Sequence, residues 1–216
     1  MSGSQDLITV GLLYFTSFFS LINPLGSMPV FLTMTSELDQ KAKKYTAIKA
    51  VITAFITLMI FAFGGQMLFK FFGISVDSFR VVGGIIFFMM GYDMLNARLS
   101  SFKSIDKNSV KKYVDDISVT PLGIPMIAGP GAITNSIVLM QDSNSVTLKA
   151  ILIGAILFTM ILTLVIYISG SKIIKFLGET GNKIMLKLMG LIVMVIAVEF
   201  FFAGITPIFR EIFNIS

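Results

Sequence analysis

The first apolar run of the chain contains the sequence Asn23-Pro24-Leu25-Gly26-Ser27-Met28-Pro29, with helix-breaking residues at its centre. The run extends from Leu7 to Thr35, and about 20 apolar residues are enough for a helix to cross a bilayer. Proline removes a backbone N–H and clashes with the preceding turn, and glycine adopts backbone angles that other residues avoid. The sequence therefore predicts a membrane helix that is interrupted near its middle.

The composition of the whole chain agrees with a membrane protein. Its 216 residues are 55% hydrophobic and 13% charged, with a mean hydropathy of +0.89, whereas soluble domains average about 25% charged residues. This balance excludes a soluble enzyme, a disordered chain and a nucleic-acid-binding module. The absence of Cys and His removes disulfides, the commonest metal ligands and the commonest general base. We therefore expect no metal site and no cofactor.

Six stretches are long and apolar enough to span a membrane, and short polar loops separate them. We expect an all-α membrane protein with a single transmembrane domain. The first segment, Met1–Asp6, lacks the basic flank of a signal peptide, so no cleaved leader is expected. The six predicted spans are Leu7–Thr35, Thr46–Phe69, Val81–Ala97, Ile117–Met140, Val146–Ser169 and Ile184–Phe209.

The basic residues predict the orientation of these spans. Loops one, three and five carry thirteen of the 17 Lys and Arg residues, and such loops face the cytoplasm. We therefore expect an inner-membrane protein with both termini outside and a cytoplasmic linker over residues 98–116. The pair Lys111-Lys112 in this linker is suited to anionic lipid. No nucleic-acid partner is expected.

A shift of the chain by 106 residues aligns several unusual positions. Pro24 falls on Pro130, Gly84 on Gly190 and Asp93 on Glu199. Each half, about 6–98 and about 112–210, contains three spans, so the second half enters the membrane from the opposite side. The sequence thus predicts two inverted three-helix repeats, an architecture that recurs in secondary transporters.

The predicted fourth span carries the second interruption. Its sequence reads Pro121-Leu122-Gly123-Ile124-Pro125 and then Ala128-Gly129-Pro130-Gly131-Ala132, so helices one and four are both expected to be discontinuous. Residues Gly26-Ser27 and Gly131-Ala132 would begin half-helices with unpartnered N–H groups, which attract an anion. Unwound carbonyls before each break would hold an ammonium group or a cation. The predicted zwitterion site comprises Asn23, Pro24, Gly26, Ser27, Gly129, Pro130, Gly131, Thr134 and Asn135.

These two motifs resemble those of the MarC family of integral membrane proteins. The match rests on Asn-Pro-Leu-Gly at residues 23–26 and on Ile-Ala-Gly-Pro-Gly-Ala-Ile at residues 127–133. It covers essentially the whole chain, with no departure at the motif positions. One branch, of the SnatA type, is described as transporting small neutral amino acids such as glycine and alanine. The resemblance implies the same substrate class here.

Two acidic residues lie within apolar spans. Glu199 has no charged neighbour for ten residues on either side, and Asp93 lies near the end of the third span. Such acids usually face the bundle interior and mark a pathway or a pair. Both are candidates for carrying a coupling proton, and the rival interpretation is a structural hydrogen bond to an interrupted helix. Coupling to Na⁺ at unwound carbonyls near Asn23 is the alternative.

Small residues in the other spans indicate close helix packing. Thr53, Thr57, Thr159 and Thr163 recur at helical spacing, as do Gly83, Gly84 and Gly91, and such ridges usually let membrane helices approach one another. Packing is favoured here over a substrate wall.

The sequence favours an alternating-access secondary transporter of small neutral amino acids that is coupled to ions or protons. It contains no GxxxxGK[ST] loop, so the chain itself has no nucleotide-binding motif. The alternatives are a small-solute or ion channel and an exporter of amino acids or other small metabolites. A non-transporting membrane scaffold is a further alternative, and a membrane enzyme is not expected. The exact substrate, the direction of transport, the coupling ion, the oligomeric state and any role in drug resistance stay open.

Overall fold

The computed structural model describes residues 2–96 and 110–213, and these are helical apart from short connections. No strand occurs within these two ranges. The elements, in chain order, are α1 Ser2–Ile22, α2 Pro24–Met34, α3 Gln40–Phe72, α4 Val76–Leu95, α5 Val110–Ile117, an irregular segment Ser118–Ile127, α6 Pro130–Asp142 and α7 Val146–Phe213. In the irregular segment the backbone is extended at Thr120 and Ile124.

The helices supply five candidate membrane spans, or six if a bent helix pair counts as one span. α1 and α2 together provide the first span, Leu7–Met34, and α3 and α4 provide the next two. The bent pair joins Val110–Ile127 to Pro130–Asp142 at an angle of 60°. α7 departs from helical angles at Gly178 and contains two spans, Val146–Gly170 and Lys183–Phe213. The predicted number of spans is thus compatible with the fold.

The second end of the predicted linker over residues 98–116 is helical. Residues 98–109 lie outside the described ranges, and α5 begins at Val110. α5 is tied to the neighbouring helices by polar contacts. Tyr113 donates a hydrogen bond of 2.8 Å to the Met34 carbonyl at the end of α2, and Lys49 of α3 forms an ion pair with Asp115. The end of the linker is therefore an ordered part of the bundle.

α4 packs closely on the second half of α7. A Cβ atom at Gly84 would lie 2.8 Å from the Ala197 carbonyl oxygen, and one at Gly91 would lie 2.7 Å from the Gly190 carbonyl oxygen. A Cβ atom at Gly204 would lie 2.6 Å from the Asp77 carbonyl oxygen. On both helices the contact residues recur every seventh position, and the two helices run antiparallel. The predicted packing role of the glycines on the third span is confirmed.

The threonine ridges also serve packing. Thr159 and Thr163 are fully buried, and their hydroxyl groups donate to carbonyls one turn earlier in the same helix. Thr53 packs against the second motif, since a Cβ atom at Gly123 would lie 3.1 Å from the Thr53 Cβ. The hydroxyl groups of Thr57, Thr159 and Thr163 are satisfied within their own helices, so they let helices approach without requiring a partner across the interface.

Candidate functional site

The first interruption is centred on Asn23, which lies between α1 and α2. Its backbone is left-handed, with φ 45° and ψ 65°, a conformation that asparagine tolerates better than most residues. Pro24 then occupies the first position of α2, where its fixed φ suits a helix start. Asn23 bonds to the helix on each side, because Asn23 N–H donates to the Phe19 carbonyl and Ser27 N–H donates to the Asn23 carbonyl. The result is a local kink and not a wide gap.

The prediction that the N–H groups of Gly26 and Ser27 lack partners is wrong. Gly26 N–H donates to the Asn23 side-chain oxygen at 3.1 Å, and Ser27 N–H donates to the Asn23 carbonyl at 3.0 Å. Asparagine is a preferred N-cap residue, and the Asn23 side chain caps α2. The cap also affects the end of α1. Gly26 N–H bonds to the Asn23 side chain and not to the Ile22 carbonyl, and Pro24 has no N–H to donate to the Ser20 carbonyl. Two carbonyls thereby lose their regular helical donors.

A cavity of about 40 Å³ lies beside this kink. A buried water needs roughly 10–15 Å³ of such volume, so the cavity has room for a few waters or a very small solute. No lining residue carries a charge. The polar part of the lining is Asn23 and Ser27, with Gly26 between them, and the remainder is Leu21, Ile22, Phe87, Met90, Met94, Met126, Val193 and Ile196.

The Ser27 hydroxyl belongs to a buried chain of hydrogen bonds. Tyr167 of α7 donates to Ser27 Oγ at 2.8 Å, and Ser27 donates to the Asn23 carbonyl at 3.2 Å or the Pro24 carbonyl at 3.3 Å. A serine hydroxyl has one proton and two lone pairs, so one lone pair remains for another donor. Ser27 therefore presents an acceptor to the cavity. The sequence did not point to Tyr167, because its partner at the 106-residue offset is Phe61 and no motif surrounds it.

Tyr167 also belongs to an aromatic pair that separates the cavity from the bundle surface. Its ring stacks on Phe31 with centroids 4.6 Å apart and planes at 16°, and both side chains are buried. A surface depression of about 20 Å³, lined by Lys43 and Lys44, lies against the same two rings. The pair is thus in contact with the cavity residue Ser27 on one side and with a basic depression on the other.

The second interruption has a different form. Gly129 precedes α6 with an extended backbone, Pro130 occupies the first helical position, and no side chain caps this helix start. It lies behind the wall of the cavity, since a Cβ atom at Gly129 would lie 2.3 Å from Cζ of Phe87. A Cβ atom at Gly131 would lie 3.0 Å from Leu21 and 3.1 Å from Phe200. In this conformation, side chains cover the predicted anion-binding end of α6.

The two polar residues further along α6 occupy different surroundings. Thr134 is 2% exposed, and its hydroxyl is the one fully buried side-chain polar atom without a hydrogen-bond partner in the part of the chain that the structure describes. Such an atom is costly unless a ligand or water satisfies it. Asn135 donates to Ser17 of α1 at 2.9 Å and is half-buried. It therefore joins the two interrupted spans.

The nine predicted site residues do not all meet at one surface. Asn23, Gly26 and Ser27 line the cavity together. Pro24 is buried beside them, while Gly129, Pro130 and Gly131 are buried behind Phe87, Leu21 and Phe200. Thr134 and Asn135 do not line the cavity.

The two embedded acids lie away from the cavity lining. The expectation that Glu199 faces the bundle interior is wrong, since its side chain is exposed on the outer face of α7. Asp93 is half-buried near the end of α4. Neither forms a hydrogen bond or ion pair with another residue of ranges 2–96 and 110–213. No group of acidic residues in these ranges is arranged to hold a metal ion.

The apolar helices of the described ranges, five or six of them long enough to cross a bilayer, identify a multi-pass α-helical membrane protein. Its first span is kinked, and an uncharged cavity lies beside the kink. Comparison with known families assigns the protein further. The sequence profile described as MarC family integral membrane protein matches residues 8–209, and the chain belongs to this family.

Relatives from distant organisms match over nearly their whole length. A UPF0056 membrane protein of Pyrococcus horikoshii is 40% identical, and the match covers 94% of this chain and 98% of the relative. The Bacillus subtilis UPF0056 membrane protein YvbG is 37% identical over 90% of this chain and 93% of its own. The Escherichia coli UPF0056 membrane protein YhcE is 32% identical, with coverages of 93% and 94%. No solved structure matches the chain.

Proposed function

We propose that this protein is a secondary transporter of small neutral amino acids, of the glycine and alanine class, in the cytoplasmic membrane. The observation that carries the proposal is the uncharged cavity beside the kink at Asn23. A ligand with a net charge would lose its hydration there without gaining a counter-charge, which is costly. A zwitterion carries both charges but can satisfy each one with hydrogen-bonding groups.

The polar groups of the cavity provide for both ends of such a ligand. The carboxylate would accept a hydrogen bond from the Asn23 amide nitrogen, which donates to no group in the described ranges. The ammonium group would donate to the remaining Ser27 lone pair and to the Ile22 carbonyl that the kink deprives of its donor. The small volume, about 40 Å³, favours glycine and alanine over larger amino acids.

The helix contacts support the inverted repeats that alternating access requires. At the offset of 106, Gly84 corresponds to Gly190 and Gly91 to Ala197. A two-fold relation between the halves would convert the contact between Gly84 and Ala197 into one between Gly190 and Gly91. Both contacts occur, with 2.8 and 2.7 Å from the would-be Cβ atoms to the facing carbonyls. The interrupted spans also share this offset, through Pro24 and Pro130.

The proposed cycle exchanges the roles of the two interruptions. Here the Asn23 kink lines the cavity, and Phe87 covers the start of α6. In the opposite state Phe87 would withdraw and expose the uncapped end of α6 together with Thr134. The Phe31–Tyr167 pair would act as the closed gate toward the basic depression. Both termini are proposed to lie outside the cell, and the protein is proposed to be a carrier without catalytic activity.

Uptake into proteoliposomes tests the proposal. Purified protein should show saturable uptake and counterflow of glycine and alanine, with weaker transport of leucine. A Na⁺ gradient and a proton gradient, applied separately, identify the coupling ion, for which Asp93 and Glu199 are candidates on sequence grounds alone. Conductance without counterflow would indicate the alternative, a small-solute or ion channel. No binding of any small amino acid would contradict the substrate class.

A pair of serine variants links the assay to the cavity. Ser27→Ala removes a hydroxyl that lines the cavity and should weaken glycine uptake several-fold. Ser20→Ala removes a hydroxyl on the same span that is exposed and absent from the lining, and uptake should stay at the wild-type level. Equal effects of the two changes would show that the transported molecule does not use this cavity.

A further inference from the structure

Glu199 lies close to the middle of the membrane. It follows Lys187 by twelve residues and precedes Arg210 by eleven, which places these two basic residues about 18 and 16 Å away along a helix. The hydrocarbon core is about 30 Å thick. A glutamate side chain, with two methylene groups, cannot reach the headgroups from that depth.

The carboxyl group points away from the rest of the bundle. α7 packs on α4 through Gly190, Ala197 and Gly204, and Glu199 follows Ala197 by two positions, which is about 200° around the helix. Its neighbours on the same outer face are exposed, with Val195 at 58% and Phe202 at 57%. We call this face the outer ridge, formed by Leu188, Ile192, Val195, Glu199 and Phe202.

An exposed carboxyl at this depth is unfavourable in lipid. Insertion scales place an acidic residue at the helix centre at about +2.5 to +3.5 kcal/mol. Within ranges 2–96 and 110–213, no residue of the chain offers Glu199 a hydrogen bond or an ion pair. A protein partner that places a hydrogen-bonding group at the same depth would remove this cost.

We propose that the outer ridge is the interface of a parallel, two-fold symmetric dimer of this chain, in which Glu199 bonds to Glu199 of a second copy. All copies insert in the same orientation, so a second copy necessarily presents this carboxyl at the same depth. Two carboxyl groups, at least one of them protonated, satisfy one another without water. A two-fold contact uses the same surface on both copies, and Glu199 lies at the centre of that surface.

A groove beside the ridge supports the same occupant. It has a volume of about 260 Å³ and lies between α4 and α7, and its lining shares Val198 and Phe202 with the exposed face of α7. Its other lining residues are Gly84, Ile85, Phe88, Met89, Ala197 and Phe201, all without a charge. A two-fold contact along the ridge lays the bulky side chains of each copy over the groove of the other.

Cysteine cross-linking in native membranes tests the interface. The chain contains no Cys, so each single substitution introduces one thiol. Val195→Cys and Phe202→Cys should give a disulfide-linked dimer under mild oxidation. The control Ile60→Cys lies on α3, is 63% exposed, and lies midway between Lys49 and Lys70, hence at a similar depth. No dimer from the two ridge positions, or an equal yield from Ile60→Cys, would overturn the proposal.

Changes at Glu199 test the role of the carboxyl group in the Val195→Cys background. Glu199→Gln retains hydrogen-bonding capacity and should retain the cross-link, whereas Glu199→Lys places two ammonium groups together and should remove most of it. An unchanged yield in Glu199→Lys contradicts the carboxyl pair. The mass of the wild-type protein in nanodiscs gives an independent reading, in which a protein mass of 23.7 kDa, that of a monomer, contradicts the dimer. These outcomes are separate from the transport assay.

Discussion

At the scale of single residues, Tyr167 links the cavity residue Ser27 to the ring of Phe31. Its hydroxyl donates to Ser27, which lines the cavity, and its ring stacks on Phe31. These two roles use different parts of the side chain. They can therefore be separated by a change that removes the hydroxyl and keeps the ring.

Tyr167→Phe should weaken substrate binding while the protein stays folded. The ring still stacks on Phe31, but Ser27 loses the donor that fixes its hydroxyl, and one hydrogen bond is typically worth about 1 kcal/mol. We expect about a fivefold loss of glycine affinity, measured by calorimetry or by the concentration dependence of uptake.

Tyr14→Phe is the matched control for this change. It also removes a tyrosine–serine hydrogen bond, the 3.2 Å contact between Tyr14 and Ser143, but neither residue lines the cavity. Its glycine affinity should equal that of the wild-type protein. If both variants lose affinity to the same extent, the effect is one of general stability and not of the Ser27 acceptor.

Gly26→Ala should disturb the kink. A Cβ atom there would lie 2.4 Å from the Asn23 amide nitrogen and 2.8 Å from its Cγ, so the capping side chain must move. Loss of an N-cap costs about 1 kcal/mol, and the polar lining of the cavity changes with it. Thermal unfolding followed by circular dichroism should show a lower midpoint, and glycine uptake should fall.

Gly64→Ala provides the comparison for the same substitution. No heavy atom would lie within 4 Å of the new Cβ, and alanine is favoured over glycine in a helix by up to about 1 kcal/mol. Its unfolding midpoint should be equal or higher. A Gly26→Ala protein with the wild-type midpoint and wild-type uptake would show that the Asn23 cap is dispensable.

At the scale of elements, the two interruptions are similar in sequence and differ in structure. Both place a proline at the first position of the following helix. Asn23 caps its own helix, whereas the start of α6 has no side-chain cap and follows a bend of 60°. The motifs predict where each span is interrupted. The side chains around each motif decide how far it opens.

The contact between α4 and α7 should be intolerant of larger residues. At Gly84 a Cβ atom already approaches the Ala197 carbonyl oxygen and the Phe201 nitrogen at 2.8 Å, and backbone atoms cannot move aside as a flexible side chain can. Gly84→Val should destabilise the protein by about 1–3 kcal/mol, the usual cost of overpacking, seen as a lower unfolding midpoint.

A glycine-to-valine substitution on an open helix face gives the reference value for the unfolding midpoint. Gly154→Val introduces a side chain on α7 where no heavy atom lies within 4 Å of the Cβ. The midpoint should change little. Equal losses at both positions would mean that valine affects helix formation in general, and that the close approach of α4 and α7 contributes little.

At the scale of the whole molecule, the charge distribution predicts the orientation in the membrane. Thirteen of 17 basic residues lie in or next to loops one, three and five, although residues 98–109 of loop three are outside the described ranges. The ion pair between Lys49 and Asp115 and the bond from Tyr113 to Met34 lie at that end of the bundle. The bundle therefore has one basic, cross-connected end.

Single-cysteine labelling measures this orientation. In whole cells, a membrane-impermeant maleimide should label Asp142→Cys, which lies at the exposed end of α6 on the side with few basic residues. Ser36→Cys, in the exposed connection between α2 and α3, should be labelled only after the cells are opened. The reverse pattern would show that the basic loops face outward.

Local sequence predicts much of this molecule, and the limits have physical causes. Proline and glycine act on the backbone at their own positions, so Asn23-Pro24 and Gly129-Pro130 mark two places where the backbone leaves helical geometry. Burial of Tyr167 depends on which face of a uniformly apolar helix turns inward, and such a helix carries no polar stripe to indicate this. The outward position of Glu199 was missed for the same reason. Phe87, Leu21 and Phe200, which cover the start of α6, are distant from it in sequence, so no local pattern predicts these contacts.

The regular spacing of the contact between α4 and α7 restricts how the length of this chain can vary. Contact residues recur at every seventh position along both helices, as Asp77, Gly84 and Gly91 on α4 and Gly190, Ala197 and Gly204 on α7, and seven residues are close to two helical turns. Inserting one residue between Gly84 and Gly91 would rotate everything beyond it by about 100° and turn Gly91 out of the contact. Deletions would act in the same way. Natural insertions and deletions should therefore be confined to the connections between spans, and fusion partners or epitope tags are best introduced there.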